Sequence, residues 1–141
     1  VEIDDGVITK FGIIGVINKI SEKYSSGISL LNSDIKINAM LKKTNHFGSL
    51  FWDGLDYKKV KLTDIPKNVN ISIGDTIISG GMSHIFPKDI LIGVIENYYI
   101  PKSTNYYEIT VKLFEDFGSI RNAYVIKNMS AKELEILNVN E

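Results

Sequence analysis

The sequence predicts an all-β fold: two small β-barrel domains in tandem, with a short C-terminal helix. Three observations carry this. Apolar and polar residues alternate at period two through Ile35–Leu41 and Tyr107–Phe114, the mark of a half-buried strand. Turn-forming groups separate the apolar runs, among them Asp4-Asp5-Gly6, Asp53-Gly54, Gly74-Asp75 and Gly80-Gly81, and many short strands with turns between them form sandwiches or barrels. Finally, Ile14-Gly15-Val16-Ile17 recurs as Ile92-Gly93-Val94-Ile95, an offset of 92 − 14 = 78 residues. Each copy follows an apolar residue and precedes a polar pair, so the chain reads as two related β domains. The division falls at residues 65/66. Residues 1–65 form a first barrel, N-terminally incomplete, and residues 66–141 form a second barrel with the helix.

In chain order, Asp4-Asp5-Gly6 turns into Val7-Ile8-Thr9, and Phe11-Gly12 breaks the chain before Ile13–Ile20. Ser21–Gly27 is polar and reads as a loop before a short strand at Ile28–Leu31. Asn32-Ser33 turns the chain into Ile35, Ile37, Ala39 and Leu41, which alternate with polar positions. Leu50-Phe51-Trp52 is an aromatic strand ending at Asp53-Gly54, a hairpin-type pair. Val60 and Leu62 alternate with lysines, and Ile65-Pro66 through Asn70 reads as the inter-domain connection, because proline stops regular pairing. Thr76–Ser79 is a strand, closed by Gly80-Gly81. Phe86-Pro87-Lys88-Asp89 is a turn with proline presetting φ. Ile90–Ile95 is the next strand, Gly93 within it marks a bulge, a bend or a close backbone approach, and the stretch continues to Tyr98-Tyr99-Ile100. Pro101–Asn105 connects to Tyr107–Phe114, a longer loop surrounds Gly118, and Ala123–Lys127 is a last strand. Ser130-Ala131-Lys132-Glu133 is a capping box. With Leu134, Ile136 and Leu137 behind it, it predicts the one helix.

Composition narrows the function. The chain has 141 residues, 44% hydrophobic and 23% charged, ordinary for a globular protein. Folded as one unit, such a chain buries about 68–70% of its unfolded surface. The net charge of −1 creates no global field for nucleic acid or acidic lipid. Zero cysteines exclude disulfides and thiolate metal sites. No apolar run approaches the roughly 20 residues that span a bilayer. The chain opens at Val1 inside strand-like sequence and reads as part of a longer protein.

Candidate chemistry is sparse. Gly81-Met82-Ser83-His84-Ile85 has the start of a nucleophile elbow but not its closing glycine. A serine beside a histidine is no triad without a buried acid to orient the base. His46 and His84 are the only histidines, and neither lies in a metal-ligand spacing. The glycine pairs match no phosphate-binding loop, so turn glycines are the better reading. Lys36, Lys42, Lys43, Lys58, Lys59, Lys61 and Lys67 face only Asp53, Asp56 and Asp64, with His46, Phe47, Phe51, Trp52 and Tyr57 among them. Basic residues with aromatics could bind single-stranded nucleic acid. The negative total charge and the lack of arginine favour a solvated outer strand face instead. These readings leave no catalytic, cofactor-binding or metal-binding residue and no cofactor. They also leave Phe47, Phe51, Tyr57, Tyr98, Tyr99 and Tyr106 as candidate exposed aromatics.

One stretch carries a resemblance. Ile73-Gly74-Asp75-Thr76-Ile77-Ile78-Ser79-Gly80-Gly81, then Ile85-Phe86-Pro87, then Ile92-Gly93-Val94-Ile95 resembles the most recognisable part of the bacterial rod shape-determining MreC family. Gly6-Val7-Ile8 through Ile17 is similar to that family's first β domain, and Leu31-Asn32-Ser33-Asp34 to its following turn. The similarity covers almost the whole chain. The family usually carries glycine where Asp89 stands here. The resemblance implies a non-enzymatic scaffold of the cell-wall elongation complex, needed for rod shape and lateral peptidoglycan synthesis, on the periplasmic side of the inner membrane. It implies partners: a class B penicillin-binding protein, MreD, other elongation-complex proteins and further copies of itself, with no nucleic acid. It also implies an N-terminal membrane helix and a coiled coil in the parent protein. The competing reading is a two-barrel, serine-protease-like hydrolase, which the missing triad disfavours.

Overall fold

A computed structural model describes residues 2–3, 5–32, 35–82, 86–117 and 123–126. Ten strands are present among the described residues: β1 (Gly6–Thr9), β2 (Gly12–Ile20), β3 (Ser25–Ser29), β4 (Lys36–Leu41), β5 (Phe47–Phe51), β6 (Lys59–Thr63), β7 (Thr76–Ser79), β8 (Leu91–Tyr99), β9 (Glu108–Leu113) and β10 (Tyr124–Ile126). No helix occurs among the described residues. The helix expected at Ser130–Leu137 lies outside them, as do Ser83, His84 and the loop around Gly118.

The strands form one closed barrel, in the order β4-β5-β6-β9-β8-β7, and one four-stranded sheet, in the order β10-β1-β2-β3. This corrects the expected tandem of two barrels. β6 pairs with β9 and β4 with β7, so the expected boundary at 65/66 runs through the barrel. Ile65 is fully buried and Pro66 bridges to Tyr106. What reads as a linker is therefore part of the barrel's packed wall. The barrel spans Lys36–Leu113 and is nested between β3 and β10. Its core follows the alternation: Ile37, Ala39 and Leu41 point inward from β4, Val60 and Leu62 from β6, and Ile109, Val111 and Leu113 from β9. Met40, expected on the polar face, is also buried and lies opposite Phe47 and Ile78.

The repeat extends well beyond four residues. Gly15 pairs with Val7 and Ser29, and Gly93 pairs with Ile77 and Leu113. Bulges fall between Val7/Ile8 and Ile77/Ile78, and again between Ile17/Lys19 and Ile95/Asn97. The entry turns match too. The Asp5 carboxylate accepts from the Glu2 amide at 2.7 Å, and the Asp75 carboxylate from the Ser72 amide at 2.8 Å. The Asp5 carbonyl accepts from the Ile17 amide and the Asp75 carbonyl from the Ile95 amide, both at 2.9 Å. β10 lies against β1 as β4 lies against β7. Four strands of the sheet thus repeat four of the barrel's six, and β5 and β6 complete the barrel.

The repeated glycines have one physical cause. A Cβ at Gly15 would fall 2.4 Å from the Ile28 carbonyl oxygen, and one at Gly93 would fall 2.2 Å from that of Lys112. Both sit where a neighbouring backbone passes too close for a side chain. Asp89 has φ 76, the left-handed region where glycine is free of the Cβ penalty. That explains a glycine in the family at this turn.

Candidate protein-interaction surfaces

The described residues hold no group of His, Asp and Glu side chains that could bind a metal. His46 stands exposed in the β4–β5 turn, where its carbonyl accepts from the Leu41 amide at 3.0 Å.

The basic run does not gather into one site. Cross-strand register sets Lys36, Phe51, Lys61 and Thr110 in one row on the outer barrel wall, with Lys59 opposite Lys112 in the next. Two of these lysines are already engaged. Lys61 donates to the Thr110 hydroxyl at 2.8 Å, and Lys59 pairs with Glu96 at 2.9 Å. The Glu96 hydrogen bond and charge raise the Lys59 pKa above its ordinary value. Asp53 and Asp56 border the same shallow depression as Lys59 and Lys61. Trp52 spends its ring N–H on the Asp56 carbonyl at 2.9 Å. The wall is a mixed, solvated face, the reading that the total charge favoured.

A second surface is more apolar. β8 ends in Tyr98-Tyr99, and the chain returns through Ile100 and Pro101 to Tyr106 and Tyr107. Tyr107 is anchored, its hydroxyl donating to the Val69 carbonyl at 3.0 Å and its ring meeting Tyr98 edge-on at 5.5 Å. Tyr99 and Tyr106 remain 55% and 51% exposed. The Tyr99 hydroxyl donates to Glu108 at 2.8 Å, and that bond raises its pKa above the ordinary phenol value. Of the six aromatics expected at the surface, Phe47, Tyr57, Tyr98, Tyr99 and Tyr106 are exposed, and Phe51 is half-buried. Clustered exposed aromatics beside a carboxylate suit protein contacts.

A third surface escaped sequence reading. Ser25–Gly27 belongs to β3, which forms one edge of the sheet. An edge strand offers unpaired amides and carbonyls. Beside it lies an apolar depression lined by Val7, Ile14, Ile28 and Phe117. The serines and glycine of Ser25–Ser29 carry no strand pattern of their own. Their alignment with Ile109–Leu113 in the repeat is the signal that marks them as a strand.

Comparison with known proteins agrees with this architecture. The model of the family "Rod shape-determining protein MreC, barrel core" matches residues 1–127. The cell shape-determining protein MreC of Listeria monocytogenes is 27% identical over 127 residues, which are 88% of this chain and 43% of that protein. The chain therefore spans less than half of that relative. A solved MreC structure from Listeria monocytogenes is 25% identical, with a TM-score of 0.83, over 90% of this chain and 62% of that one. The MreC of a Helicobacter pylori complex with the penicillin-binding protein PBP2 matches at a TM-score of 0.69 and 16% identity, over 86% and 75%. The major periplasmic domain of a cell shape-determining filament MreC matches at 0.64 and 24%, over 80% and 70%.

Proposed function

This chain belongs to the rod shape-determining MreC family, and from that membership we propose that it is a non-enzymatic scaffold of the cell-wall elongation complex. It works on the periplasmic side of the bacterial inner membrane, in support of rod shape and lateral peptidoglycan synthesis. Its partners are a class B penicillin-binding protein, MreD, other elongation-complex proteins and further copies of itself. The observation that carries the reading is the family match across residues 1–127, together with the PBP2 complex formed by the Helicobacter pylori neighbour. The periplasmic domain among the structural neighbours supports the compartment. The surface chemistry fits as well, since exposed aromatics and an open sheet edge suit recognition of extended or apolar protein segments.

Titrating the chain against the soluble region of a class B penicillin-binding protein from the same cell tests the reading. Saturable binding with a micromolar or tighter Kd is expected. The absence of any binding to that protein, with the chain folded by circular dichroism, refutes the partnership.

A further inference from the structure

The two repeated meanders differ in their first connection. Thr9 and Gly12 are joined by Lys10-Phe11, whereas the equivalent Ser79 and Ile90 are joined by residues 80–89. The end of this connection, Phe86–Asp89, is tied down. The Ser79 hydroxyl donates to the Pro87 carbonyl at 2.6 Å and accepts from the Ile90 amide at 2.9 Å, and the Asp89 amide donates to the Ser79 carbonyl at 3.1 Å. Next to them Phe86 enters the core that the barrel and the sheet share. Phe86 is 1% exposed, and its ring lies on Gly6, the first residue of β1 in the sheet. A Cβ at Gly6 would fall 2.5 Å from a Phe86 ring carbon.

We infer that Phe86–Asp89 is a strap from the barrel to the sheet, that Phe86 is its contact and Gly6 its seat, and that it fixes the angle between the two β units. It acts together with a shared core, in which Ile13, Val16 and Leu30 of the sheet are buried with the barrel side chains. Gly12 sits against the Leu91 backbone, where a Cβ would fall 2.3 Å from the carbonyl oxygen, and the Thr9 hydroxyl donates to Glu115. Both are small contacts, whereas a phenyl ring buries about 150–250 Å². Removing the ring leaves a cavity where the two units meet, and a core relaxes only partially around a deleted side chain, so the angle between them is held less tightly. A scaffold that holds partners at a set angle needs the opposite.

The chain has no cysteine, so spin labels can be placed by Tyr24→Cys on the sheet side and Leu55→Cys on the barrel, residues 78% and 86% exposed. The parent should give one narrow inter-label distance distribution. Phe86→Ala should broaden it at least twofold, while the barrel's cooperative melt, read by Trp52 fluorescence, persists. Gly6→Ala should broaden it from the other side, and adding Phe86→Leu to Gly6→Ala should narrow it again by making room for the methyl group. A parent-like distribution in Phe86→Ala or in Gly6→Ala overturns the strap. Loss of the Trp52 transition in Phe86→Ala also overturns it, because Phe86 would then be core of the barrel rather than a link between units.

Discussion

Gly93→Val tests whether close backbone approach governs the repeated glycines. The built Cβ at Gly93 stands 2.2 Å from the Lys112 oxygen and 2.9 Å from Val111 Cγ1, where ordinary contact begins at 3.4 Å. To recover contact distance, β8 and β9 must separate locally by about 3.4 − 2.2 = 1.2 Å. Ladder hydrogen bonds near 2.9 Å do not survive such stretching. The obstacle is a carbonyl in a closed barrel, so it cannot swing aside as a side chain would. Overpacking of this kind costs about 1–3 kcal/mol. At roughly 4 °C per kcal/mol for a chain of this size, the Tm should fall by about 4–12 °C. Thermal melts followed by Trp52 fluorescence and circular dichroism would measure it. Gly15→Val should give a loss of similar size, since Gly15 meets the Ile28 carbonyl in the same way, and Ile73→Val at an exposed site should give none. A Gly93→Val melt that superimposes on the parent's would refute the reasoning.

Four further outcomes are expected. Tyr99 should titrate above the ordinary phenol value, and Glu108→Gln should bring it down; the stabilisation from this bond is present below the ordinary value and lost as pH rises through the raised one, and carbon NMR of the phenol ring would follow it. Asp89→Gly should raise stability by up to about 1 kcal/mol in urea unfolding by removing the left-handed strain of a residue with a Cβ, whereas a loss would show that the aspartate contributes a contact of its own. No serine should react with a fluorophosphonate probe, and labelling at Ser83 or elsewhere would reinstate the hydrolase reading. The chain should sediment as a monomer at micromolar concentration and associate measurably near millimolar; a tight dimer in the low micromolar range would place the drive for assembly in the β units themselves.

The strands that carry their own period were legible. β4, β6 and β9 show their buried faces as Ile37/Ala39/Leu41, Val60/Leu62 and Ile109/Val111/Leu113, and the repeated glycine motif pointed to two related units. Partner choice was not legible, because pairing is set between residues far apart in sequence. Nothing local in Ile65-Pro66 says that the chain stays in the barrel wall, where Tyr107 bonds back to the Ile65 carbonyl at 2.9 Å. The first half of β3 was read as loop because Ser25, Ser26 and Gly27 have neither β-branching nor alternation, and register with β2 overrides that weak propensity; only Ile28 and Ser29 of β3 fall inside the expected strand at Ile28–Leu31. Tyr57, Tyr98, Tyr99 and Tyr106 could be named in advance, whereas the more exposed Tyr24 and Tyr124 were not, and the clustering could not be foreseen, since it depends on Tyr99 lying opposite Glu108.

The pairing of Gly6 with Ile126 has a consequence for how the chain is made. A chain emerging in order presents β1, β2 and β3 first, yet the sheet cannot gain its fourth strand until β10 has followed. In the interval the barrel's six strands are all available to one another, and every strand that closes it lies within Lys36–Leu113. Bringing β1 and β10 together across an unfolded chain would carry the loop-closure cost of more than a hundred residues, and a barrel already folded between them shortens that loop. Synthesis therefore favours a barrel that folds first and a sheet that is stitched around it last. A chain interrupted before Tyr124 would keep its barrel and display an unfinished edge at β1, the state in which pairing with the wrong chain is easiest.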